Sequence, residues 1–182
     1  YSRYRKEWWE ESLRKIKAGG VSVVSAYVIW IHHEEEENVF DFEGCRDIGT
    51  FVRLCRKVGL SVFLRIGPFV HGEVRNGGFP DWIIEREKEG MAIRCNNKEY
   101  LDYVRRFWKK VYEQVDGCME KDGGPVIGLF ANATGNKRLA HSSPTHASSK
   151  PLMKPTLHTS ATRYQRRAEV LAVALAYLRP RF

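Results

Sequence analysis

The chain has 182 residues, 43% of them hydrophobic and 12% aromatic, which is enough for one domain with a real core and too apolar for an intrinsically disordered chain. A net charge of +8 invites a nucleic-acid reading, but residues 1–122 balance 21 Lys and Arg against 21 Asp and Glu, and the whole excess lies in 123–182, where nine bases face the single acid Glu169. No signal peptide opens the chain and no apolar run approaches the ~20 residues needed to cross a bilayer, so no membrane span is expected.

Taken in order, Glu7–Ala18 reads as a helix with Trp9, Leu13 and Ile16 on one face and Glu10/Arg14 and Glu11/Lys15 paired at i,i+4 on the others. Gly19-Gly20 stops it. Val21–Trp30, apolar and β-branched, predicts a strand with Tyr27 and Trp30 near its end. The run Glu34–Glu37 reads as a solvated loop. A second helix is expected from an N-cap at Asp47 through Phe51, Leu54, Cys55 and Val58 to Gly59, and Leu60–Ile66 predicts a second, buried strand. Strand, helix, strand in this order is a βαβ unit and predicts a parallel pair.

The stretch LSVFLRIGPFVHGEVRNGGFPDW, Leu60–Trp82, is the centre of the chain: a strand that empties into a loop rich in Gly, Pro and polar groups, as at the carboxyl edge of an α/β sheet where sites are built. Asn96–Asp116 is the clearest helix, with Asn96 and Glu99 arranged as a capping box and Tyr100, Val104, Phe107, Trp108, Val111 and Val115 as its core stripe. Gly123-Gly124-Pro125 breaks the chain before a third strand at Val126–Phe130. Ala140–Ser160 is rich in Ser, Thr, His, Pro and Lys without periodicity and reads as linker, and Glu169–Leu178 is apolar enough for a short helix. The pattern α-β-α-β-α-β predicts an α/β fold, an open parallel sheet or a partial barrel.

Several side chains could carry chemistry. Glu73, the only acid between Asp47 and Asp81, is either a site carboxylate or a solvated loop residue. Tyr27 and Trp30 at a strand end are a sugar-stacking platform or simple core. His71 could act as a base. His32-His33-Glu34 invites a metal reading, but neighbours on an extended segment point to opposite sides. The cysteines at 45, 55, 95 and 118 lack metal spacing; four cysteines allow three disulfide pairings, and Cys55 falls on an apolar helix face as a buried thiol.

Three blocks take the reading further. WWEESLRKIKAGGVSVVSAYVIWIHHEEEENVFDF, RIGPFVHGEVRNGGFPDW and KDGGPVIGL resemble, in the same order, the opening of the glycoside hydrolase family 35 β-galactosidases over roughly residues 1–130, and Tyr1-Ser2-Arg3 resembles the segment after that family's first strand. The resemblance implies a (β/α)₈ TIM barrel with its site at the carboxyl ends of the strands. Val21–Trp30, Leu60–Ile66 and Val126–Phe130 would be barrel strands two, three and four. It implies a retaining glycosidase acting on terminal β-galactosyl residues, which needs two carboxyls about 5–5.5 Å apart, one as acid/base with a raised pKa and one as nucleophile. The implied partner is a β-galactoside carbohydrate, with no cofactor, no metal and no nucleic acid, and the implied compartment is extracellular, vacuolar or lysosomal. Tyr27 and Glu73 match positions that bind galactose hydroxyls, with the backbone around His71 and Gly72 beside them, and Trp30 stays a substrate-binding candidate from its place near the strand end.

The departure comes at Phe130–Gly135, FANATG, where the family carries a Glu-Asn-Glu-Tyr-Gly-type run. Aligned without a gap, Thr134 falls at the acid/base position. With one deletion, Asn132 matches the asparagine, which implies a sugar-binding residue, and Ala133 falls at the acid/base position. Neither alternative can donate the proton. No later segment resembles the nucleophile's; Glu169 lies in an unrelated context. The expectation is an N-terminal part of a family 35 barrel over 1–130 and a non-matching basic tail over 131–182, produced by a frameshift, a truncated gene or a gene-calling error, and inactive alone. The alternatives are a non-catalytic carbohydrate-binding remnant and, more remotely, a nucleic-acid-binding module in the basic tail.

Overall fold

The structure, a computed structural model, describes residues 1–133. Its elements run α1 (Trp9–Ala18), β1 (Val23–Tyr27), α2 (Trp30–His33), α3 (Ile48–Val58), β2 (Ser61–Gly67), α4 (Asp81–Lys88), α5 (Lys98–Gln114) and β3 (Val126–Ala131). The strands form one parallel sheet in the order β1-β2-β3, with Tyr27 opposite Arg65 and Leu64 opposite Leu129. The fold is α/β with three parallel strands, as the βαβ reading predicts. Glu169, Thr134 and the basic, Ser/Thr-rich stretch beyond them lie outside the described residues.

The helices form where the apolar periodicity places them. Asp47 caps α3, its carboxylate accepting from the Thr50 amide at 2.7 Å, and Gly59 ends the helix at φ 77°, a left-handed position that suits glycine. The whole predicted stripe, on α5 and its C-cap Val115, is buried, from Tyr100, Val104 and Phe107 at 0% exposure to Trp108 at 4%. It packs under Val62, Leu64 and Ile66 of β2, and Trp108 Nε1 donates to the Ile66 carbonyl at 3.0 Å. Alternation along β2 turns Ser61, Phe63 and Arg65 to the other face of the sheet. All four cysteines are free thiols, with Cys55 and Cys118 buried, and desolvation pushes the Cys55 thiol up to about 12.

The structure departs locally from the sequence reading. The cap of α5 is Asn97, whose side chain accepts from the Tyr100 amide at 3.0 Å, so no Asn96–Glu99 box forms. The first helix begins with a 3₁₀ turn over Lys6–Trp8, and Ile16 points outward on it. Asp81–Lys88 is an unforeseen helix, started by Pro80. The strand expected to run to Trp30 stops at Tyr27, and Trp30–His33 coils into a helical turn. That turn places Glu34 four residues from Trp30, where its carboxylate accepts from Trp30 Nε1 at 2.7 Å and the Asn38 amide at 2.9 Å and pairs with Arg106. Glu34 is 0% exposed, so the four-glutamate run is not a solvated loop at its first residue. Glu37, half-buried, pairs with Arg86 at 2.8 Å.

Candidate functional site

The carboxyl end of β1 and the loop after β2 enclose a cavity of about 320 Å³, and its lining includes Ser25 and Tyr27 from β1, Gly72 and Glu73 from the loop, and Arg3 from the N-terminal segment. Ser25 and Tyr27 alternate on one face of β1 and thereby stand in a row above the strand edge. The loop reaches the cavity because Asn76-Gly77-Gly78 turns it back. All three have positive φ, at 56°, 61° and 89°, and the Gly77 carbonyl accepts from the Val70 amide at 2.7 Å. A Cβ at Gly77 would stand 2.2 Å from the Phe69 ring, so the turn passes there only without a side chain. Asp81, in the first turn of α4, pins the turn by accepting from Asn76 Nδ2 at 2.7 Å and pairing with Arg75 at 2.8 Å.

Two polar ties hold the loop against the rest of the cavity. The Arg3 guanidinium donates to the Glu73 carbonyl, leaving the Glu73 side chain exposed at the cavity wall. Asn132, one residue past β3, uses its amide at both ends: Oδ1 accepts from the Phe69 amide at 3.2 Å and Nδ2 donates to the Phe69 carbonyl at 2.8 Å. The Phe69 ring lies under the Arg94 guanidinium at 3.9 Å and edge-on to His71 at 4.8 Å. Tyr1, also part of the cavity lining, hydrogen-bonds His33 Nε2 at 2.9 Å and stacks on Phe51 at 5.2 Å.

Of the residues singled out in the sequence, Tyr27, Gly72 and Glu73 line the cavity together. His71 adjoins them but turns its ring onto Phe69. Asn132 is spent on the Phe69 backbone. Trp30 is not brought to the cavity: it is 0% exposed, with its indole stacked on Phe107 at 5.1 Å, so of its two readings the geometry is that of core. The His32-His33-Glu34 run does not converge on one point, because both His33 ring nitrogens are engaged, with Tyr1 and the Asp41 carbonyl, and Glu34 faces Trp30 and Arg106. Among the described residues no group of three or more His, Cys, Asp or Glu could hold a metal ion, and no helix is long and apolar enough to cross a membrane. Sequence reasoning missed Ser25 and Arg3 as cavity residues; Ser25 sits at i−2 from Tyr27 and was legible from strand alternation, whereas Arg3 reaches Glu73 across 70 positions and carried no local signal.

At the end of β3 stand Ala131, Asn132 and Ala133, and the Ala133 carbonyl accepts from Tyr100 Oη at 2.9 Å. Among the described residues this strand end carries no carboxylate. The arrangement can bind through hydroxyl, amide and carboxylate groups, and Glu73 is the cavity's one acid among the described residues that line it.

Residues 1–134 match the model for glycosyl hydrolases family 35. The chain is 39% identical over 129 residues to β-galactosidase 8 of Arabidopsis thaliana, covering 70% of this chain and 15% of that protein. It is 34% identical over 148 residues to an exo-β-D-glucosaminidase of Pyrococcus horikoshii, covering 71% and 19%, and 35% identical over 129 residues to human β-galactosidase-1-like protein 2, covering 71% and 20%. The chain therefore spans a fifth or less of these relatives' lengths. Among solved structures it superposes on a β-galactosidase from the psychrophilic Marinomonas ef1 with a TM-score of 0.52 at 17% identity, covering 71% of this chain and 20% of that one. A GH5_18 protein from Bifidobacterium longum subsp. infantis gives a TM-score of 0.52 at 12% identity, covering 66% and 26%; at these identities the likeness is one of fold.

Proposed function

Since the chain belongs to glycosyl hydrolases family 35, we propose that the cavity beside Tyr27 and Glu73 is one wall of a β-galactoside site and that the three strands are strands two to four of a (β/α)₈ barrel. The observation that carries this reading is that Tyr27 and Glu73, matched separately to sugar-binding positions, line one cavity together with Gly72. Its volume of about 320 Å³ lies at the small end of the ~300–1,000 Å³ typical of ligand pockets, a size suited to a single sugar ring. Glu73 acts there as a sugar-hydroxyl acceptor. It is not the catalyst, since a retaining glycosidase needs two carboxyls about 5–5.5 Å apart and the end of β3 offers Ala133 instead of an acid. Thr134, the other residue that could fall at that position, is equally unable to serve. The proposed activity of this chain is therefore sugar binding without hydrolysis. The proposed compartment remains that of the family enzymes, outside the cytosol, and the proposed domain division remains near residue 130.

The test is titration of the purified chain with methyl β-galactoside, methyl α-galactoside and methyl β-glucosaminide, the last because one relative is an exo-β-D-glucosaminidase. Preference for the β-galactoside, weakened at least several-fold in Glu73→Gln, is the expected result. Absence of binding, or equal binding by Glu73→Gln, rejects the site. Steady release of nitrophenol from p-nitrophenyl β-galactoside that copurifies with the chain rejects the non-catalytic assignment.

A further inference from the structure

Arg65 stands on β2 directly opposite Tyr27 of β1, on the sheet face that leads to the cavity. Its guanidinium forks across the strand boundary: Nε donates to Ser25 Oγ at 3.0 Å and Nη1 donates to Tyr27 Oη at 2.9 Å, with the cation 5.1 Å from the centroid of the Tyr27 ring. Ser25 and Tyr27 are two residues apart and share one side of the strand, so a single planar group reaches both. Among the described residues Arg65 is the only hydrogen-bond partner of Tyr27 Oη.

We infer that Arg65 is a positioning residue that makes the Tyr27 hydroxyl an obligate hydrogen-bond donor to whatever occupies the cavity. A guanidinium has five N–H donors and no acceptor, and it does not lose its charge at any ordinary pH. Toward Arg65, therefore, Tyr27 Oη can only accept. A phenol carries one proton, and that proton is left for the open side of the cavity. The ligand atom meeting Tyr27 must then be an acceptor, such as a sugar oxygen that is not spending its lone pairs elsewhere. A hydroxyl poised only to donate would have to share the phenol oxygen with the Arg65 cation and would leave the phenol proton unused. Ser25 contributes by holding the guanidinium at Nε, so that Nη1 has one direction to point. Arg65 thus acts on specificity without lining the cavity itself, a distinction the sequence left unmarked because Arg65 lies inside an otherwise apolar strand.

This inference deepens the reading of the cavity as a β-galactoside site and rests on it for the identity of the ligand. Its test uses the full chain and methyl β-galactosides in which each hydroxyl is replaced in turn by fluorine, which still accepts weakly, or by hydrogen, which does not. At the position facing Tyr27 the fluoro sugar should bind about 2- to 3-fold more tightly than the deoxy sugar, the low end of one ordinary hydrogen bond because fluorine is a weak acceptor. Tyr27→Phe should abolish the difference, Arg65→Met should shrink it because the hydroxyl is then free to accept, and Arg65→Lys should restore part of it. A difference that is the same in wild type and Arg65→Met overturns the inference.

A second readout needs no sugar. The ¹³Cζ resonance of Tyr27, identified by its loss in Tyr27→Phe, should move in Arg65→Met and in Ser25→Ala, and move back part of the way in Arg65→Lys. A Tyr27 resonance indifferent to all three variants overturns the assignment, even where Arg65→Met itself does not fold, since Ser25→Ala and Arg65→Lys remain. Should no galactoside bind the wild-type chain, the sugar reading fails while the resonance still decides the role of Arg65.

Discussion

His33 accepts a hydrogen bond from Tyr1, and its direction is set on the far side of the imidazole. Nδ1 lies 2.9 Å from the Asp41 carbonyl, which can only accept, so Nδ1 carries the proton and Nε2 presents its lone pair to Tyr1 Oη at 2.9 Å. Desolvation lowers the His33 pKa from 6.5 to about 4, with the Asp41 carbonyl opposing and His32 and Arg46 adding to the shift. Between those two values the unfolded chain takes up a proton that the folded chain refuses. The stabilisation is thus complete above about pH 6.5 and is lost as the pH falls toward 4, on the order of 3 kcal/mol in all. Urea midpoints at pH 7, 5.5 and 4.5 should fall steeply in wild type and less so in His33→Gln. Parallel slopes for the two would show that His33 titrates normally.

The buried carboxylate of Glu34 serves three donors: Trp30 Nε1, the Asn38 amide and Arg106. Arg106 in turn lies 5.4 Å from the Trp82 ring centroid and 5.2 Å from that of Tyr103, with its Nε enclosed and without a hydrogen-bond partner among the described residues. Removing the acid strands the indole N–H of the buried Trp30, whereas Arg106, whose side chain is 27% exposed, keeps Glu37 at 3.8 Å. Glu34→Ala should therefore cost about 1.5–3 kcal/mol, the span for hydrogen bonds to a charged group, and Glu34→Gln distinctly less because two of the three donors keep an acceptor. Guanidinium unfolding curves of the two variants provide the check; equal losses would mean that the charge of Glu34 does not matter.

The contrast between α5 and Glu34 marks what the sequence could reveal. The stripe on α5 and the Asp47 cap are encoded within a few residues, by a 3.6-residue repeat and by a side chain adjoining the amides it satisfies, and both were legible. Glu34 looked solvated because its neighbours are glutamates, while the Arg106 that neutralises it is 72 positions away. Trp30 looked like the end of a strand since the apolar run continues through it, but Glu34 four residues on draws the indole N–H inward and favours a helical turn. Asn96 and Asn97 are chemically equal caps, and nothing in the local sequence says that Asn97 is the one to accept from the Tyr100 amide. In the candidate site, Tyr27, Gly72 and Glu73 came from motif matching, whereas Arg3 and Arg65 act through contacts between segments far apart in sequence.

Gly77 is the tightest point of the site loop. Alanine there would drive a methyl group to 2.2 Å from the Phe69 ring while holding φ at 61°. The expected loss is about 2–4 kcal/mol, from overpacking and a left-handed non-glycine residue together. Gly90→Ala, at φ 112° with open space around it, separates the two effects, since it carries backbone strain alone and should cost about 1–3 kcal/mol. Trimming the ring in Gly77→Ala/Phe69→Leu should recover part of the loss. Thermal unfolding of the four variants, Phe69→Leu among them, measures this, and a double mutant no better than the sum of its parts would rule out the clash.

Asn132 separates a structural role from a sugar-binding one. Motif matching assigns it to the sugar, but both ends of its amide are occupied by the Phe69 backbone, and this bidentate clasp ties the end of β3 to the loop that carries Glu73. Asn132→Ala removes two hydrogen bonds at once and should lower stability by about 1–3 kcal/mol. Asn132→Asp keeps the acceptor for the Phe69 amide but sets a carboxylate against the Phe69 carbonyl, so it should be no better than alanine. If the clasp is what matters, any loss of galactoside affinity in these variants will accompany a lower unfolding midpoint and a disturbed Phe69–Glu73 loop, visible as faster amide exchange over that segment. If Asn132 meets the sugar directly, affinity will fall in Asn132→Ala with the midpoint and the exchange pattern unchanged, and the amide must then turn away from Phe69 when the sugar arrives.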